Sequence, residues 1–126
     1  MKLWRMSLTV LVSILFLANC SLASDVDSVL TQAQKEGKSV MLELGSVGCI
    51  PCEQMKPVME QLRTNYKDKL EVFFIDVRKD NATGRRFGVH MIPTQVFLDK
   101  DGKEFHRHIG YYAYEEIAPV LKKAGI

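Results

Sequence analysis

The sequence predicts a single α/β domain with a mixed central β-sheet and helices on both faces. Three short apolar runs, at 39–45, 70–77 and 94–99, are bounded by glycine, charged or turn residues and read as buried strands. Amphipathic stretches of helical spacing separate and flank them. The turn "DKDG", Asp99 to Gly102, leads into "KEFHRHIG", which reads as the fourth strand of a hairpin. A strand–helix–strand start implies a parallel right-handed crossover, and the hairpin adds antiparallel pairing. Such a sheet needs helices over both faces.

Each element has its own warrant. Residues 25–36 place Val26, Val29, Leu30 and Ala33 at helical spacing, with Gly37 as the stop. "SVMLELG", 39–45, is the first strand. In 52–66, Met55, Val58, Met59, Leu62 and Tyr66 share one helical face, and Pro57 inside it predicts a kink. "LEVFFIDV", 70–77, is the second strand. "NATGRRFG", 81–88, reads as a short helix closed by Gly88. Its "NAT" matches a glycosylation acceptor but reads better as a helix cap. "TQVFLD" is the third strand. "YEEIAPVLKKAG", 114–125, closes the chain as a helix with Pro119 as a weak point.

The bulk numbers fit one globular domain. The chain has 126 residues, 47% hydrophobic and 25% charged. Its formal charge is +2, but removing Lys2 and Arg5 from the 17 basic residues leaves 15, against 15 acidic ones. A neutral domain gives no reason to expect nucleic acid or an anionic membrane as partner.

The first residues are set apart from the fold. "MKLWRMS" is a basic n-region, and Leu8 to Ala18 is an apolar h-region of 11 residues, short for a membrane span. Residues 1–23 therefore read as an export signal and 24–126 as the domain. "SLA", Ser21 to Ala23, offers ordinary cleavage before Ser24. "LANC" resembles a bacterial lipoprotein box, which would end the signal at residue 19 and leave Cys20 lipidated; Asn19 departs from the usual small residue. Either exit places the domain in the bacterial periplasm or lipid-anchored facing it. A cysteine pair can be oxidised there.

Cys49 and Cys52 are the chemically informative pair. As a staple they make little sense, because a disulfide across three residues closes a tiny loop. A structural zinc site needs about four ligands, and a second C-x-x-C is absent. His90, His106 and His108 are the only histidines. The last two read as solvated residues on the hairpin, so no metal site is expected. A redox couple fits better. Cys49 lies where a buried strand joins an amphipathic helix, and the N–H groups and dipole of a helix N-terminus stabilise a thiolate. Cys52, one turn later, can resolve a mixed disulfide. Pro51 suits a first helical turn because its missing N–H needs no partner. Glu43 stands six residues before Cys49 in an otherwise apolar strand.

In this order the features resemble the thioredoxin family over roughly residues 25–126. The matching residues are "CIPC" after "VMLELG", "MIPT" at 91–94, the "DKDG" hairpin and Gly110 before the last helix. The 44-residue interval from Cys49 to Pro93 agrees with compact members. The resemblance implies a thioredoxin fold, a cis bond before Pro93, and a proline lying against the active-site sulfurs. It implies that Ile92 offers backbone groups to an extended substrate, with Gly48, Ile50 and Pro51 beside it. It also implies that Glu43 is buried under the site, with a raised pKa, taking a proton from Cys52. Gly48 replaces the usual Trp, Ile50-Pro51 replaces Gly-Pro, and Glu53 stands where Lys is common.

The uncharged Ile50-Pro51 pair and Ile92 resemble reducing members rather than strong oxidants. The expected function is therefore a reductase of protein disulfides through Cys49 and Cys52. It would need no bound cofactor, act as a monomer on disulfide-containing proteins, and be recharged by a membrane electron-donor protein. The alternatives are a disulfide oxidase or isomerase, and a non-enzymatic binding or copper-handling accessory using Cys49, Cys52 and His90.

Overall fold

The computed structural model describes residues 25–126. Cys20 and the segment read as an export signal, residues 1–23, lie outside the described residues. In chain order the elements are α1 (Asp25–Lys35), β1 (Ser39–Gly45), α2 (Ile50–Asn65), β2 (Leu70–Asp76), α3 (Asn81–Arg86), β3 (Thr94–Leu98), β4 (Glu104–Ile109) and α4 (Tyr114–Lys123). Every expected element is present, in the expected order.

The sheet runs β2-β1-β3-β4. β1 pairs parallel with β2 and antiparallel with β3, and β3 pairs antiparallel with β4. β1 therefore has a strand on either side, and all seven of its residues are buried. A strand covered on both faces reads as a continuous apolar run, which "SVMLELG" is except for Ser39 at its start and Glu43.

Alternation along β1 divides the core in two. Met41 faces Met55, Met59 and Leu62 of α2, Ile117 and Leu121 of α4, and Phe97. Val40, Leu42 and Leu44 face Val26 and Ala33 of α1, with Val96, Leu98 and Ile75. The methionines at helical spacing are thus packing residues.

α2 starts two residues earlier than its periodicity indicated, with Cys49 as its N-cap and Pro51 in its first turn. Apolar spacing reports the buried face, and the first turn, with exposed Ile50, projects past it. The helix continues through Pro57. A proline in a helix interior costs about 3 kcal/mol. Burying Met55, Val58, Met59 and Leu62 contributes roughly 1.5–3 kcal/mol each, so packing wins.

Two local readings need correction. The cap of α3 is Asp80, not the "NAT" segment: its carboxylate accepts the Thr83 N–H at 2.9 Å, and Asn81 is the first helical residue. His106 and His108 are half-buried rather than solvated. His108 stacks on the Tyr112 ring at 3.9 Å between centroids. His106 Nε2 lies 3.0 Å from the Tyr112 hydroxyl. Register explains this: His106 and His108 stand opposite Phe97 and Gln95, on the sheet face that α4 and its leading loop cover.

Candidate functional site

The register brings four loop ends together at one edge of the sheet. β1 ends at Gly45 beside Asp76, the end of β2. Leu44 pairs with Thr94, the start of β3, and Thr94 pairs with Ile109, the end of β4. Cys49 follows β1 by four residues and Pro93 immediately precedes β3, so both belong to this edge.

Cys49 and Cys52 form a disulfide, with Cα atoms 5.2 Å apart. Their environments differ. Cys49 is half-exposed, with extended backbone (φ −86°, ψ 116°), at the N-terminus of α2. Cys52 is 2% exposed, in the first turn. The unpaired N–H groups of that turn sum to roughly half a positive charge at the cap, which stabilises a thiolate on Cys49 rather than on buried Cys52. Glu53 is also in this turn. Its carboxylate pKa is lowered by the Lys56 ammonium and the Gly48 N–H. The ion pair with Lys56 offsets the negative charge that Glu53 brings to the cap.

Two glycines shape the approach to the cysteines for different reasons. Gly48 has φ +79° and open space around its Cβ position. The left-handed backbone, not crowding, calls for glycine there, which accounts for the missing Trp. Gly45 is a matter of space. A Cβ there would meet Cys52 Sγ at 3.1 Å and Phe74 Cε2 at 3.2 Å. We expect Gly45→Ala to destabilise the oxidised protein by about 1–3 kcal/mol, read by denaturant unfolding. An unchanged midpoint would show that Phe74 and Cys52 move aside freely. Beside them a groove of about 420 Å³ opens, floored by Cys52, Met59 and Phe74.

The Ile92–Pro93 bond is cis, as expected. Pro93 is buried and Ile92 half-buried. The Pro93 carbonyl accepts the Gly110 N–H at 2.8 Å, which holds the 91–93 loop against the end of β4. Among the described residues, no hydrogen bond engages the N–H or C=O of Ile92. His90 is exposed in the loop before it.

Glu43 is fully buried on the α2 side of the sheet, two residues before Gly45. Burial raises its pKa from the ordinary 4.5 to about 7, partly offset by a hydrogen bond from Gln95. It is therefore a carboxyl that can gain or lose a proton near neutral pH.

Sequence reading missed two things here. One is Gln95, a polar residue in the apolar run "TQVFL", the same kind of signal that singled out Glu43. The other is an apolar collar. Val47, Ile50, Met91, Ile109 and Tyr111 are the large apolar residues left exposed among the described residues, and all lie in the segments at this edge. Nothing in local periodicity marks a surface assembled from three separate segments.

Comparison with known proteins agrees with this geometry. The family model of the thioredoxin-like domain matches residues 26–125. A Staphylococcus epidermidis thioredoxin is 30% identical over 100 residues, covering 79% of this chain and 90% of that one. A Staphylococcus aureus thioredoxin is 30% identical over 83 residues, covering 66% and 79%. Among solved structures, a poplar thioredoxin h superposes with a TM-score of 0.70 at 22% identity, over 82% of this chain and 93% of its own. Thioredoxin NaTrxh from Nicotiana alata gives 0.67 at 26% identity, over 79% and 87%.

Proposed function

The chain belongs to the thioredoxin family, and from that premise we propose that it reduces disulfides in other proteins outside the cytoplasm. That it is a thiol–disulfide oxidoreductase follows from its thioredoxin relatives and its C-x-x-C disulfide. The observation that carries the finer reading is the asymmetry of the pair: one sulfur at an exposed helix cap, the other buried on the sheet face that holds Glu43.

The reaction runs in two exchanges. The Cys49 thiolate attacks one sulfur of the substrate disulfide. A bond forms between Cys49 and that sulfur, and the other substrate sulfur leaves as a thiolate and takes up a proton. Cys52 then gives its proton to Glu43 and attacks the Cys49 sulfur. The mixed disulfide breaks, and the second substrate thiolate departs. The substrate gains two electrons, and Cys49 and Cys52 lose two as their own disulfide forms. Ile92 supports this scheme with its free backbone groups, and the collar around Gly48, Ile50, Pro51 and Pro93 with its apolar surface.

A reducing role needs a supply of electrons. The reading includes a membrane electron-donor protein that reduces the pair after each turnover, with no bound cofactor. The basic n-region and apolar h-region support export. The "LANC" segment adds a lipid anchor at Cys20 as the alternative to cleavage before Ser24.

The reduction potential of the Cys49–Cys52 couple tests the direction. We expect a value near the roughly −270 mV of thioredoxin. A value near −120 mV, in the range of strong oxidants, would reverse the assignment to disulfide formation.

A further inference from the structure

Gln95 has no part in the exchange chemistry above, yet among the described residues it is the one side chain hydrogen-bonded to Glu43. It is fully buried, two residues after Pro93, directly opposite Glu43 in the β1–β3 pair. Both N–H groups of its amide are engaged. One donates to Glu43 Oε1 at 3.3 Å, the other to the Gly110 carbonyl at 3.1 Å. Turning the amide over would set its oxygen against two acceptors, so these partners fix its orientation. Gly110 in turn donates its N–H to the Pro93 carbonyl. Glu43 Oε2 and Gln95 Oε1 are buried, with no partner among the described residues. A proton on Oε2 turns a stranded acceptor into a donor and leaves the contact at Oε1 intact.

We propose that Gln95 is a positioning residue that sets the proton affinity of Glu43 and reserves Oε2 for the proton in transit. The proposal rests on the reading of Glu43 as the group that takes the Cys52 proton, and extends it. An N–H aimed at Oε1 favours the carboxylate and opposes the effect of burial. Anchoring on Gly110 keeps that N–H in place, through a contact shared with the loop that carries Pro93. The other titratable groups on or over this face include Cys52, Arg63 and Tyr66 on or at the end of α2, Asp76 at the end of β2, His106 and His108 on β4, and Tyr112, Tyr114 and Glu116 around the start of α4. The causes of the Glu43 shift are burial and Gln95 alone.

The test is Gln95→Met, which keeps length and apolar bulk and removes both donors, with Gln95→Leu as a second replacement. Two readouts are needed: the NMR titration of the Glu43 carboxyl carbon, and the pH profile of mixed-disulfide resolution by Cys52. In both variants the carboxyl titration should move up by about one pH unit, and the resolution profile should move with it. Against a Glu43→Gln background, Gln95→Met should leave the profile where it is. An unmoved carboxyl titration in both folded variants overturns the proposal. A carboxyl titration that moves while the resolution profile stays put supports Gln95 as the setter of Glu43 and instead removes Glu43 from the proton path.

Discussion

Cys49→Ala is expected to bring disulfide reduction to background, and Cys52→Ala to stop the protein after one exchange, joined covalently to its substrate. The two outcomes follow from position. Cys49 is half-exposed at the cap of α2, where the helix N-terminus lowers a thiol pKa, so it is the sulfur a substrate can reach. Cys52 is 2% exposed, beneath the position a Gly45 Cβ would occupy, and can attack only a disulfide already on Cys49. Insulin reduction with a thiol donor reads the first variant. Mass spectrometry of the second should show the substrate adduct on Cys49. With the pair reduced, an alkylating reagent near pH 7 should label Cys49 well before Cys52. Full activity in Cys49→Ala would remove the redox reading and leave a binding module.

Glu43→Gln is expected to stabilise the protein at alkaline pH while slowing Cys52. The sign comes from proton linkage. Glu43 has a pKa of about 7 in the fold and 4.5 ordinarily. Between those values the folded state holds a proton that the unfolded chain has released, so stability falls as pH rises through that window. Integrated over the window, the loss is about 3 kcal/mol, complete above pH 7 and absent below pH 4.5. A glutamine at 43 removes the titration and keeps an oxygen to accept the Gln95 N–H. Denaturant unfolding at pH 4.5 and pH 8 should show the variant gaining about 3 kcal/mol over the parent between the two. A gain independent of pH would mean that Glu43 does not titrate in this window. The kinetic cost should fall on the second exchange, by about 10²-fold, because general-base help is lost only there. Equal slowing of both exchanges would place the effect on the fold instead.

Why would a buried acid persist at such a cost? In the proposed reaction, proton transfer from Cys52 answers this. A carboxyl that titrates near pH 7 matches the task of accepting a thiol proton, whereas an exposed one near 4.5 holds protons too weakly. In that reaction the same burial that weakens the fold would supply the chemistry.

Much of the fold was legible because its signals are local. The apolar runs of β1, β2 and β3, the helical spacing in α1 and α2, and the turn ahead of β4 each sit within a dozen residues. Glu43, Cys49 and Cys52 were legible for the same reason: an acid in an apolar strand and two thiols at a strand–helix join. Their neighbours were less so. His106 and His108 look like alternating polar residues on an edge strand, yet Tyr112 folds back between β4 and α4 and covers them. The start of α2 was misplaced because a helix cap is set by backbone geometry, which apolar spacing does not report.

By itself, the sequence determined the order of the elements, the two thiols at a strand–helix join and an acid in the apolar strand before them, since each is written in residue type and short spacing; the place of Pro93 beside them came from the family resemblance. Only the tertiary structure decided which groups meet. The β1–β3 register sets Gln95 against Glu43, the β3–β4 ladder brings Gly110 to Pro93, and three chain segments far apart in sequence form one apolar rim around Cys49. Those contacts depend on strand register, and a shift of one residue would turn Gln95 to the opposite face and leave Glu43 alone.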